Sequence, residues 1–206
     1  MIKARHNPLV YRFFQAYASL RIRNNFRATV IEGDASLSGK AVLLLSNHIS
    51  WWDGFWALYL NMKHFRKRYH FMMDEEELRK RWLFSWSGGF SIRSTSRSLF
   101  ESLHYTEELL RQDDNLVVIY PQGKLYSSRT PSIIFKKGIE RLRFEAHTAP
   151  DVYFLVQLTD YFQYDKPTLY FYLEKAAADI TQTRDYEAAY NDFYRRCINR
   201  HSQIVV

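Results

Sequence analysis

The feature that most restricts the fold is a set of short, nearly unbroken apolar runs. They are "AVLLLS" (41–46), "NLVVIY" (115–120) and "VYFLVQL" (152–158). A strand with one wet face alternates apolar and polar residues. A continuous run marks a strand covered on both faces, as in a parallel sheet between helix layers. Three more segments read as strands: "RYHFMMD" (68–74), "FSIRS" (90–94) and "TLYFYLEK" (168–175). Helical patterns lie between and after them: "SWWDGFWALYLNMKHF", "EEELRKRWLFSWSGG" closed by Gly88-Gly89, "SRSLFESLHYTEELLRQDD", "PSIIFKKGIERLRFEAH" and "RDYEAAYNDFYRRCINRH". The alternation predicts an α/β fold, a mostly parallel central sheet flanked by helices.

No repeat, low-complexity tract or Pro/Gly linker divides the 206 residues, so a single domain over 1–206 is expected. Residues 1–30 read as an amphipathic N-terminal helical segment. Leu9, Phe13, Tyr17 and Leu20 recur at helical spacing, beside Val10 and Phe14, with Arg12, Arg21 and Arg23 among or after them. Such a helix either covers the core or lies on a bilayer. No segment approaches the roughly 18 apolar residues of a membrane span, and the N-terminus lacks a signal-peptide apolar block.

The formal net charge of +7 attracts anions, whether lipid headgroups, phosphorylated small molecules or nucleic acid. No nucleic-acid-binding module is recognisable, so a nucleic-acid partner is not expected. Bases and aromatics interleave around Lys67 in "HFRKRYHF", which suits a headgroup region as well as a solvated loop. Aromatic residues make up 17% of the chain, an excess that suits a membrane–water interface. The one cysteine, Cys197, excludes an internal disulfide and reads as a packing residue. The histidines show no ligand spacing and no HExxH, so no metal is expected. GxGxxG and P-loop patterns are absent too.

Ligands of open α/β sheets bind beyond the carboxyl ends of strands. Asn47 and His48 follow the strand ending at Ser46. Pro121, Gln122, Gly123 and Lys124 follow the strand ending at Tyr120, and Arg93 lies at the end of another. In "SNHISWWDGF", Ser50 and Asp53 have the spacing of a capping box that starts a helix. Asp53 can then reach back to the His48 imidazole. Two uses fit that geometry. Asp53 caps the helix and His48 is a polar loop residue, or the two form a base and its orienter.

"NHISWWD" resembles the NHxxxxD block of the lysophospholipid (glycerolipid) acyltransferase superfamily. "GGFSIRSTSRS" is similar to its second block, with Arg93 at the matching position. "LLRQDDNLVVIYPQGKLYSS" is similar to its third. "FKKGIERL" and "FLVQL" resemble the segments that follow, and the likeness covers roughly residues 20 to 175. The resemblance implies an O-acyltransferase. His48 would be the general base and Asp53 its orienter. The donor would be an acyl-CoA or acyl-carrier-protein thioester, as co-substrate and with no cofactor. The acceptor would be a lipid hydroxyl, and the protein would sit peripherally on the cytoplasmic side of a membrane. Asn47, Arg93, Pro121, Gln122, Gly123 and Lys124 would line the substrate site, with Arg93 and the Gly123 turn holding the acceptor's polar head. Lys136 and Lys137 could join them, but fit a solvated helix face better.

Three positions depart from the family pattern. Gln122 stands for the usual Glu, "KLYSS" for the usual Thr-Arg, and Gln157 for a Pro. These departures leave two acceptors open, a lysophospholipid or a lipid hydroxyl other than a glycerol phosphate. A non-catalytic lipid-binding protein on the same fold is the alternative.

Overall fold

The computed structural model describes residues 1–33, 38–93, 96–145 and 147–206. The strands are β1 (Ala28–Glu32), β2 (Val42–Ser46), β3 (Arg68–Asp74), β4 (Gly89–Ile92), β5 (Asn115–Ile119), β6 (Asp151–Asp160) and β7 (Thr168–Lys175). They form one sheet in the order β1-β7-β6-β2-β5-β3-β4. β6, β2, β5, β3 and β4 run parallel. β7 is antiparallel to β6, and β1 is parallel to β7. The helices are α1 (Pro8–Asn25), α2 (Asp53–Lys63), α3 (Glu75–Lys80), α4 (Ser96–Leu110), α5 (Ala178–Thr183) and α6 (Tyr186–His201). The expected α/β architecture with a mostly parallel sheet is the one found.

The apolar runs explain the layering. Along β2, Leu43 and Leu45 pack on one face with α4 and α6, while Val42 and Leu44 pack on the other with α1 and α2. All five β2 residues are buried. Cys197 packs in the α4/α6 layer as expected, and burial pushes its thiol up to about 12.

The N-terminal segment differs from expectation in two ways. The helix stops at Asn25, and Ala28–Glu32 is a strand. Three consecutive β-branched residues, Thr29, Val30 and Ile31, carried that signal. The helix also buries a different stripe. Phe14, Ala18 and Ile22 face the core, while Leu9, Phe13 and Leu20 stay exposed at 78%, 60% and 46%.

Two expected helices are interrupted. The one beginning at Glu75 ends at Lys80, because Arg81 leaves helical geometry, and a 3-10 turn follows over Trp82–Trp86. Across 131–145 there is only a 3-10 turn, Ile139–Arg141. Its N–H groups find distant partners instead of helical ones. Ile133 donates to Asn191, Phe135 to Glu187 and Lys136 to the Pro121 carbonyl. Gly138, at φ 143, breaks the run. The far ends of the strand expected over 90–94 and of the helix expected over 131–147 include Ser94 and Ala146, which lie outside the described residues.

Candidate active site

The turn after β2 carries His48, and Asp53 opens α2. Asp53 is fully buried, and its Oδ2 accepts three N–H groups. These come from His48 Nδ1 at 2.8 Å, the Ile49 backbone at 2.7 Å and the Ser50 backbone at 2.9 Å. With two backbone donors already on that oxygen, the third contact requires the proton on Nδ1, which leaves the Nε2 lone pair free. The capping box forms only in part. Asp53 accepts from Ser50 N–H as the box requires, but Ser50 Oγ accepts from Trp52 N–H and the helix begins at Asp53. Asp53 therefore both caps the chain entry and orients the imidazole. Burial pushes its carboxyl above the usual range, against the pull of the His48, Ser50 and Ile49 bonds.

Around this pair the ends of β2, β5, β3 and β4 converge on a cavity of about 600 Å³. Its apolar wall comes from both layers. Phe14, Phe55, Leu58, Phe71 and Phe84 line it from the α1/α2 side, and Met72, Leu99, Leu103 and Ile139 from the α4 side. Its polar rim includes His48, Asp74, Glu77, Arg93, Lys136 and Lys137. The arrangement offers room for a long apolar group, with the imidazole at the wall.

The residues expected at the site fall in three places. His48, Arg93, Pro121 and Gly123 line the cavity. Arg93 is paired with Glu75, whose carboxyl burial would raise, but Arg79, Arg93 and Ser91 together hold it down at about 2. Gly123 takes a left-handed φ of 62, and a Cβ there would strike the Lys136 side chain. Asn47 and Gln122 are buried behind the wall, 0% and 1% exposed, and do not line the cavity. Asn47 bridges to β6, accepting Gln157 N–H at 2.8 Å and donating to the Gln157 carbonyl at 2.9 Å. Gln157, in turn, donates to Ser46 Oγ at 3.0 Å. Lys124 is exposed outside the cavity, its ammonium over the Tyr126 ring.

Sequence reasoning weighed Lys136 and Lys137 for the site but favoured a solvated helix face; they line the cavity because that helix does not form. It missed Tyr120, whose ring stacks on His48, and Tyr69, which donates to the Gly54 carbonyl at 2.9 Å. Burial pushes both phenols well above their ordinary value. Among the described residues no cluster of His, Cys, Asp and Glu could hold a metal, and no helix is long and apolar enough to cross a membrane.

Comparison with known proteins agrees with the geometry. The acyltransferase family model matches residues 22–161, which contain His48, Asp53, Arg93 and the 121–124 turn. No curated protein sequence matches the chain. The structure is similar to the crystal structure of the 1-acyl-sn-glycerophosphate (LPA) acyltransferase, PlsC, from Thermotoga maritima. The TM-score is 0.58 at 14% identity, over 95% of this chain and 81% of that one. At that identity the likeness is one of fold.

Proposed function

The chain belongs to the acyltransferase family, and from that premise we propose that it moves a fatty acyl group from a thioester to a lipid hydroxyl. The observation that carries this reading is the 2.8 Å His48–Asp53 contact at the wall of a large apolar cavity. The acyl chain of the donor fills the apolar wall, and its thioester carbonyl lies beside His48. Nε2 takes the proton of the acceptor hydroxyl as its oxygen attacks that carbonyl. The carbon–sulfur bond then breaks, and the imidazolium returns its proton to the leaving thiolate. Asp53, dry and charged, stabilises the imidazolium while it exists.

The donor is acyl-CoA or an acyl-carrier protein. Lys136, Lys137 and Arg93 at the rim suit an acceptor with a polar or anionic head. The exposed stripe of α1, together with Trp51, Trp82 and Leu83, suits a peripheral seat on the cytoplasmic side of a membrane. The test is thiol release from acyl-CoA with membrane lipid extract as acceptor. Release that is lost in His48→Ala supports the reading. Release that survives the substitution overturns the pair, and no release with any acceptor favours a lipid-binding protein.

A further inference from the structure

The side chain of Gln122 spans the backbone of one residue. Its Oε1 accepts the His48 N–H at 2.6 Å, and its Nε2 donates to the His48 carbonyl at 3.3 Å. That carbonyl also accepts the Tyr126 N–H at 2.9 Å. The two contacts reproduce, from a side chain, the paired bonds by which one strand residue holds its neighbour. Asn47 makes the same two-bond clasp on the other side, to the backbone of Gln157. β2 lies between β5 and β6. The turn after β2 is thus gripped on its β5 side through Gln122 and on its β6 side through Asn47, after the strand ladder itself has ended.

We propose that Gln122 is a positioning residue for the base and not a contact for the acceptor. This inference rests on the acyl-transfer reading of the site. It revises the expectation that a Gln at this position changes which acceptor is used. Gln122 is 1% exposed and takes no part in the cavity wall, so a bound acceptor has no route to it. Both of its functional atoms are committed to His48. An amide offers one acceptor and one donor, which is what the His48 peptide groups need. A carboxylate can only accept, and would set a buried charge against the His48 carbonyl.

The test compares wild type with Gln122→Met, which keeps length and bulk and removes both bonds. Steady-state kinetics are run with acyl-CoA and extracted lipid acceptor. The ring resonances of His48, assigned by their absence in His48→Ala, are followed by NMR through a pH titration. The expected result is a fall in kcat of about 10- to 100-fold, as for a reacting group displaced by about 1 Å. KM for both substrates should stay within about twofold, and the His48 resonances should move. A raised acceptor KM with unchanged kcat and unmoved resonances would overturn the proposal. If Gln122→Met does not fold, Gln122→Leu, which also removes both bonds, is read in the same way. If wild type shows no turnover, the acyl-transfer reading fails separately. The resonances alone then decide, movement supporting the proposal and constancy refuting it.

Discussion

The imidazole of His48 stacks on the phenol ring of Tyr120, with centroids 4.5 Å apart and planes 26° from parallel. Asp53 fixes the ring in its plane, and Tyr120 fixes the face it can turn to. Only Nε2 is left to exchange a proton. The site is built to hold one tautomer in one orientation before any substrate arrives, so losing either constraint should be costly.

Replacing Asp53 by Asn should separate orientation from folding. The amide oxygen can still accept the Ile49 and Ser50 backbone groups, but the charge that favours the imidazolium is gone. We expect kcat to fall by about 10²- to 10⁴-fold with KM little changed, the scale seen for positioned proton transfer. Because the carboxylate is buried and burial raises its pKa, the Asn variant should melt near the wild-type temperature. Steady-state kinetics beside thermal melts check both parts. Full kcat in the variant would remove Asp53 from the mechanism.

Gly54 lines the cavity one residue into α2, and a Cβ there meets no atom within 4 Å. Gly54→Ala should raise stability by about 0.5–1 kcal/mol, since a helical Gly gives up more chain entropy on folding than Ala. Gly54→Phe should occupy cavity volume and shift preference from long to short acyl thioesters. A chain-length series of acyl-CoA donors measures this. An unchanged profile would place the acyl chain elsewhere.

Leu9 and Phe13 are 78% and 60% exposed, so acidic substitutions there should cost the fold little. At about 0.5 M salt, where the added charges are screened, the double variant Leu9→Glu, Phe13→Glu should bind anionic vesicles at least about tenfold more weakly, as apolar area is lost from the contact. Wild-type binding should persist at about 0.5 M salt, where purely ionic attraction is screened. Vesicle sedimentation across a salt series decides it, and binding that survives both mutation and low salt but vanishes at high salt would assign attachment to charge alone.

His70 is buried beside His6, their ring centroids 4.7 Å apart. Burial, and next the neighbouring His6, hold His70 down at about 3, while burial and Arg68 hold His6 at about 4. The unfolded chain accepts these protons near pH 6.5, before the folded one does. Stability is therefore full above pH 6.5 and is lost as pH falls toward 4. At about 1.4 kcal/mol per unit, His70 alone removes about 2 kcal/mol by pH 5. Urea midpoints at pH 7 and pH 5 should differ markedly in wild type and less in His70→Gln. Parallel pH profiles for the two proteins would show that this imidazole is not the cause.

The sheet could be read from the sequence because its central strands are buried on both faces, and a run such as Val42–Ser46 has no other stable use. The contact between His48 and Asp53 was legible because they lie five residues apart at one helix start, where local capping chemistry already sets their distance. What escaped depends on partners far along the chain. Ile133–Gly138 looked helical, yet its N–H groups are taken by α6 side chains and by Pro121, which no local pattern announces. Lys136 and Lys137 reached the cavity for that reason. Gln122 was placed in the right neighbourhood, but its side chain turns inward to a backbone 74 residues earlier. The amphipathic character of α1 was legible but not which apolar residues face the core, because Phe13 and Phe14 are equally apolar and only the packed sheet chooses between them.

The clasps on either side of His48 have a consequence for the making of the protein. Asn47 meets Gln157 across 110 residues of sequence, and Gln122 meets His48 across 74. The first bond needs β6 to have joined β2 and the second needs β5, so the pair of clasps is complete only when both strands are in place. A nascent or half-collapsed chain thus carries the histidine without its grip. Turnover in a refolding mixture accordingly counts completed molecules, and should appear only with the last, long-range step of sheet assembly.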